Sequence, residues 1–258
     1  MAELLLSRIQ NKIMPEGPSI LLMKESIQKF EGKKVLEASG SAKIDKEILV
    51  GKTLKEIKTF GKQTYLVFDN VAVRIHLLMF GSHSVDEQTK PDRQLRLALL
   101  FSDGGMYFYT CHVKMVDSEF LAGIDWKADV MSDIWSPKNA EKKLKSHPDM
   151  MVCDALMDQD IFSGVGNIIK NEVLFRIGVQ PESLLGKIPP KKIKELIKEA
   201  RNYSFDFLEW KRDFTLKKHW LAHTKKICPK CGQKLIKKQT GLGKRRSFYC
   251  ETDQELYQ

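Results

Sequence analysis

No uninterrupted apolar run reaches the roughly 18 to 20 residues that a bilayer-spanning helix needs, which excludes a helical membrane protein. Met1–Ile13 lacks a basic head followed by an adequate apolar core, so no export signal is recognised and a cytoplasmic protein is expected. Cysteine is scarce and odd in number, five residues, which argues against a disulfide framework. Cys111 and Cys153 stand alone in apolar surroundings and read as buried structural thiols. No internal repeat or low-complexity tract is present. One stretch also lacks acid: Lys211–Arg246 holds 13 Lys or Arg and a single carboxylate, Asp213.

That stretch carries more positive charge than the whole chain nets, +10, so the remainder is close to neutral. Charge so confined suits a polyanion partner; the alternative is a solvated basic tail. With 258 residues, 42% of them hydrophobic, the chain is long enough for two compact units and an appendage.

Short apolar runs broken by turn signals fill Val35 to Met115, including Tyr65–Phe68, Val71–His76 and Leu95–Phe101. With Asp69-Asn70 and Asp103-Gly104-Gly105 as hairpin turns, they predict an antiparallel sandwich. Ser19–Phe30 is the exception, its apolar residues Ile20, Met23, Ile27 and Phe30 spaced for a helix. After Trp126 the pattern turns helical, over Asn139–Lys145, Met151–Met157, Asn167–Arg176 and Lys191–Trp210. Asp129–Lys138, closing on Ser136-Pro137, reads as a linker, and Pro189-Pro190 suits a helix's first turn.

Four separated motifs carry chemistry. In Met14-Pro15-Glu16-Gly17-Pro18, a proline that became the first residue would offer a secondary amine, with an α-amino pKa near 8 by roughly the reference value. Attack by such an amine on an electrophilic carbon of aldehyde oxidation level would leave an iminium with no N–H to lose, and that cation acidifies the proton on the adjacent carbon. Glu16, the next residue, is placed to move protons. Phe60-Gly61-Lys62 is a turn with a lysine. Gly164-Val165-Gly166-Asn167 is a tight helix–helix turn that leaves a helix N-terminus pointing outward, suited to a phosphate. Cys228-Pro229-Lys230-Cys231, followed after 18 residues by Cys250-Glu251-Thr252-Asp253, has the spacing of a tetrahedral zinc site. A Cys3Asp set is chemically possible; His219 or His223 could substitute only if their segment folds back, and both read as helix residues. Packing without metal is the remaining reading of this hairpin.

In this order, from Met14 to Tyr257, the motifs resemble the formamidopyrimidine-DNA glycosylase and endonuclease VIII family, and Pro-Glu-Gly-Pro with Phe80 resembles the endonuclease VIII branch. The resemblance implies an α+β fold: an N-terminal antiparallel β-sandwich with a helix, a helix-two-turns-helix domain and a zinc-finger-like β-hairpin. The expected boundaries are 1–13 for an extension arising from a misassigned start, 14–128 for the catalytic sandwich, 129–222 for the helical domain and 223–258 for the hairpin. It implies Pro15, Glu16 and Lys62 as catalytic residues. Leu78, Met79 and Phe80 fall where the family fills the void left by a flipped base, although they equally read as core at a strand end. Asn167, Lys170 and Arg245 are implied as contacts to DNA phosphates, and Cys228, Cys231, Cys250 and Asp253 as structural zinc ligands. Two departures stand out: Asp253 replaces the expected fourth cysteine, and Ser19 stands where relatives commonly carry a glutamate.

The implied activity is excision of oxidised bases, pyrimidines favoured, from damaged double-stranded DNA, followed by β,δ-elimination, by a monomer associated with the nucleoid of a bacterial-type cell. The implied chemistry depends on a free amine at Pro15; if Met1–Ile13 precede it, the chain is a silent damaged-DNA-binding protein. A basic, RNA- or ribosome-associated zinc protein is the third reading.

Overall fold

The computed structural model describes residues 15–258. The expected extension, 1–13, and Met14 lie outside the described residues. The described residues divide into two compact units, one comprising residues 15 and 22–124, the other residues 16–21 and 125–258.

In the first unit, helix α1 (Gly17–Ile27, its first turn belonging to the second unit) is extended by a 3-10 turn, Gln28–Phe30. Ile20, Met23, Ile27 and Phe30 are buried as their spacing predicts, and Phe30 stacks on Phe101 at 4.6 Å between centroids. The strands are β1 (Glu37–Ser39), β2 (Glu56–Phe60), β3 (Gln63–Val67), β4 (Ala72–His76), β5 (Ser82–Val85), β6 (Leu95–Phe101), β7 (Gly104–Tyr109) and β8 (His112–Val116). They form two four-stranded antiparallel sheets, ordered β1-β6-β7-β5 and β2-β3-β4-β8. Alternation decides which side chains face the core. On β6, Leu97, Leu99 and Phe101 are buried; on β4, Val73 and Ile75 are buried, which turns Arg74 and His76 to the other face. A short helix, α2 (Ser118–Ala122), capped by the Asp117 carboxylate through the Phe120 amide, follows β8 and was not foreseen from sequence.

The second unit holds α3 (Pro137–Lys145), α4 (Val152–Met157), α5 (Asn167–Ile177), α6 (Pro190–Arg212) and the hairpin of β9 (Ile236–Thr240) with β10 (Arg245–Tyr249). Ser136 caps α3, and proline opens both α3 and α6, where its missing N–H costs no helical hydrogen bond. Helix α6 buries Ile193, Leu196, Ile197, Ala200, Tyr203 and Phe207, a helical stripe packed on α5. Asp129–Lys138 is not the loose linker its composition suggests. Asp129 and Val130 are buried, residues 128–130 exchange backbone hydrogen bonds with Ser163, and Arg201 donates to the Val130 and Ser132 carbonyls, both at 2.9 Å. Among the described residues no helix is long and apolar enough to cross a membrane.

Candidate nucleic-acid interface and metal centre

Lys62 sits at the tip of the β2–β3 hairpin. Phe60 and Gln63 pair across it, and Gly61 takes φ +56°, a value a two-residue turn of this kind needs at its first position. The period of two then builds a basic face beside it. Gln63 lies opposite His76, His76 opposite His112, and Arg74 opposite Lys114. Gln63, Arg74, His76, Leu78 and His112 line a cavity of about 230 Å³. Burial, then the charges of Lys62, Arg74 and His112, lower the His76 pKa. Its Nδ1 accepts from the Leu78 amide at 3.1 Å, so the neutral ring carries its proton on Nε2.

Leu78, Met79 and Phe80 follow on a turn closed by the Gly81 amide donating to the Leu77 carbonyl at 2.7 Å. Their relative exposures are 49%, 52% and 63%, so they are not core residues at a strand end. Three adjacent apolar side chains held in solvent on a tight turn are what insertion into a stacked or apolar partner requires.

In the second unit, Glu16 is 1% exposed and its carboxylate accepts from the amides of Gly166 at 3.2 Å, Ile168 at 2.8 Å and Ile169 at 3.2 Å. These are first-turn donors of α5, so the expectation of an outward-pointing helix N-terminus ready for a phosphate is corrected: a carboxylate of the chain already satisfies it. Gly166 makes the approach possible, since a Cβ there would lie 2.4 Å from Glu16 Cδ. The Gly17 amide donates to the Gly164 carbonyl at 2.8 Å, tying the Glu16-Gly17 segment to the same turn. Pro15, half-buried, precedes it.

Helix α5 then grips the C-terminal hairpin. Asn167 Nδ2 donates to the Arg246 carbonyl at 3.0 Å, and Asn171 takes the same carbonyl at 3.2 Å while accepting from the Phe248 amide at 3.1 Å. Lys170 is also drawn inward. It is 1% exposed, donates to Ser247 Oγ at 2.7 Å, and burial lowers its pKa to about 8. Its expected role as a surface phosphate contact is therefore corrected: the hairpin covers it. Arg245, by contrast, begins β10 exposed.

Two carboxylates that sequence reasoning missed hold the surrounding backbone. Buried Glu172 accepts from the amides of Leu221, Ala222 and His223, at 2.9, 2.9 and 2.7 Å. Asp154 accepts from the Leu242 amide at 2.9 Å in the turn between β9 and β10. A partial signal for Glu172 was available: it directly precedes the apolar Val173-Leu174-Phe175, and an acid buried there must find donors.

The predicted metal ligands converge. One donor atom from each of Cys228, Cys231, Cys250 and Asp253 lies within 4.8 Å of the others. Tetrahedral zinc separates thiolate sulfurs by about 3.7 Å when each lies about 2.3 Å from the ion. Cys231 and Cys250 Sγ are 3.5 Å apart, and Asp253 Oδ2 is 3.0 Å from Cys228 Sγ, so the donor set fits a metal ion. The thiol hydrogen bonds keep the Asp253 carboxyl low, Cys228 first, whereas the nearby carboxylate pushes Cys231 up to about 12. Metal binding must displace those thiol protons. Neither histidine joins the cluster. His219 ends a 3-10 turn and stacks on Trp210 at 4.1 Å; His223, outside any helix, packs edge-on against Trp220 and Phe248.

Residues 14–114 match the formamidopyrimidine-DNA glycosylase N-terminal domain, and residues 128–204 match the formamidopyrimidine-DNA glycosylase H2TH domain. The chain belongs to this family. Within it the chain falls on the endonuclease VIII-like branch: it is 30% identical over 227 residues to endonuclease 8-like 3 of Xenopus laevis, covering 84% of this chain and 37% of that protein. The mouse (Mus musculus) endonuclease 8-like 3 is 30% identical over 201 residues, 75% of this chain and 33% of that protein. The chain thus spans about a third of the length of these relatives. A formamidopyrimidine-DNA glycosylase of Bacillus cereus is 26% identical over 204 residues, 71% of this chain and 74% of that one. The crystal structure of a viral DNA glycosylase superposes with a TM-score of 0.81 at 21% identity, covering 93% of this chain and all of that one. Lactococcus lactis Fpg bound to DNA containing an oxidised pyrimidine gives 0.81 at 19% identity, with 93% and 100% coverage. The fold is therefore Fpg-like, mixed α+β, with N-terminal antiparallel sheets, the H2TH helices and a C-terminal Cys/Asp cluster consistent with a zinc finger.

Proposed function

We propose that this chain is a DNA glycosylase and abasic-site lyase that removes oxidised bases, pyrimidines favoured, from duplex DNA. The observation that carries the reading is the grip of Glu16 on the first turn of α5, because it ties the Pro15-Glu16 motif to the glycine turn of the H2TH domain. In the proposed reaction the Pro15 amine, as first residue of the working protein, attacks C1′. The glycosidic bond breaks with its electrons leaving on the base, which takes up a proton; the attached nitrogen gives up its own proton, the C1′–O4′ bond opens with its electrons passing to a ring oxygen that is protonated, and the Pro15 nitrogen becomes an iminium. Loss of the C2′ proton then drives out the 3′-phosphate, and a second elimination drives out the 5′-phosphate.

Glu16 works as a charged group in this scheme. Its amide donors and the positive helix end favour the ionised carboxylate, which stabilises the neighbouring cation and accepts a proton before it returns one. Lys62 supplies fixed positive charge beside the reacting sugar. Leu78, Met79 and Phe80 fill the gap left by the extruded nucleotide, and Asn167 and Arg245 hold backbone phosphates. The cysteines and Asp253 hold a structural zinc ion, which fixes the base of the hairpin carrying Arg245.

Borohydride reduction on abasic duplex DNA tests the proposal with protein beginning at Pro15. A covalent adduct mapped to Pro15 is expected; retained binding without an adduct would instead identify a silent damaged-DNA-binding protein.

A further inference from the structure

Several lysines of the first unit are matched by acids: Lys29 with Asp86, Lys33 with Asp103, Lys55 with Asp69, Lys58 with Glu56. One cleft breaks that habit. Lys43, Arg96, His112 and Lys114 line a cavity of about 450 Å³ whose wall also includes Ile44 and Met115. Among the described residues no carboxylate forms an ion pair with Lys43, Arg96 or Lys114; the Arg96 guanidinium donates to Ser41 Oγ, at 3.2 Å. Moreover, Lys114 lies directly opposite Arg74, and His112 directly opposite His76, across the β4–β8 pair. Of these, Lys114 and Arg74 are like charges, and their repulsion is a cost to the sheet that an anion lying across the pair would offset. His112 also lines the smaller cavity of Arg74, His76 and Leu78, so the two clefts share this residue of β8.

We infer that this larger cleft is a second nucleic-acid contact, binding phosphates of the strand that flanks the nucleotide engaged at the Lys62 turn, with a sugar or base resting on Ile44 and Met115. Uncompensated cations converging on a small apolar floor match the alternation of phosphate and base along a single strand. The inference rests on the DNA-binding reading above and extends the contact surface along the sheet.

Binding of an uncleavable tetrahydrofuran-containing duplex, measured by fluorescence anisotropy with short and with long flanks, tests it. The paired substitution Lys43→Gln and Lys114→Gln is expected to weaken long-flank binding roughly tenfold and to lower the slope of log K against log salt by about 2, near one for each phosphate that is no longer neutralised. Short-flank binding and borohydride trapping on the short duplex should stay as in the unsubstituted protein. Both side chains are exposed, so matching thermal melts are expected, and charge reversal, Lys43→Glu with Lys114→Glu, should deepen the effect on long flanks only. Equal losses at both lengths, or none, would overturn the flanking contact while leaving the glycosylase reading intact. Binding of a deoxynucleoside monophosphate that the paired substitution abolishes, with no gain in duplex affinity from longer flanks, would overturn it in favour of a free-nucleotide site. Failure of the unsubstituted protein to bind either duplex would remove the DNA reading itself.

Discussion

Glu16 and Gly166 share one small volume: the Gly166 amide donates to the Glu16 carboxylate at 3.2 Å, and a Cβ on Gly166 would sit 2.5 Å from Glu16 Oε1. The two residues are 150 positions apart, so the contact holds the motif at residues 15–17 on a turn that folds with the H2TH helices. A buried carboxylate at a helix N-terminus contributes through charge-assisted hydrogen bonds and the helix dipole together.

Gly166→Ala should therefore cost about 2 to 4 kcal/mol, because either the carboxylate or the turn must move. Glu16→Gln should cost about 1.5 to 3 kcal/mol, since an amide NH2 must then face a backbone N–H. Thermal melts of both variants are the measurement, with about 2 to 4 °C lost per kcal/mol for a chain of this size class. A Gly166→Ala protein that melts with the parent would show that the grip on Glu16 is not what holds the turn.

Much of this arrangement was legible in the residues. Strand β6 matched its alternating run, Leu95–Phe101, and α5 and α6 matched their helical spacing to within a few residues. What failed was what periodicity cannot carry. Nothing local in Lys170 says that a hairpin some 77 residues later will bury it against Ser247, and an acid-capped helix N-terminus looks, in sequence, the same as a free one. Leu78–Phe80 fitted either core or wedge until their exposure separated the two. Asp129–Lys138 read as a linker because turn-forming composition does not reveal that Arg201 will tie its carbonyls down.

His223 makes stability depend on pH in a defined window. Burial, reinforced by Lys170 and Arg246, lowers its pKa from 6.5 to about 4, while in the unfolded chain it titrates near 6.5. Between those values the unfolded state binds the extra proton, so stability falls as pH drops from 6.5 to 4 and is fully present above it. The loss at pH 4 is at most about 3 kcal/mol. His223→Phe keeps the ring contacts with Trp220 and Phe248 and should flatten this part of the profile in denaturant melts taken from pH 7 to pH 4. An unchanged slope in that variant would assign the acid sensitivity elsewhere, with His83, lowered to about 4 by burial, the next group to replace.

The Cys/Asp cluster should bind one zinc ion per chain, measurable by elemental mass spectrometry of the purified protein. Asp253 brings a harder oxygen donor to three thiolates, and with it a weaker hold than a fourth sulfur gives. Asp253→Cys is expected to slow zinc loss to a chelator by tenfold or more on the order-of-magnitude scale of ligand changes. Asp253→Ala should release the ion readily and lower the melting temperature, because metal-binding free energy is folding free energy for such a hairpin. Metal-free protein with an unaltered melt would mean that Phe175, Leu235 and Phe248, which pack with Cys228 and Cys250, suffice to hold it.

Phe80 separates stability from function. At 63% exposure its ring contributes little to the folded state, so Phe80→Ala should change unfolding free energy by no more than about 0.5 kcal/mol. Filling the gap beside an extruded nucleotide offsets part of an unstacking cost of a few kcal/mol, so the same substitution should lower kcat/KM on a lesion within a duplex by roughly 10- to 100-fold. The loss should shrink on a single-stranded substrate, where there is no base stack to open. A fluorescent base analogue opposite the lesion reads the step directly: its signal should rise on binding by the parent protein and stay quenched with Phe80→Ala. If both proteins raise it equally, the exposed turn is not the wedge, and Leu78 and Met79 must then be tested as the side chains that enter the stack.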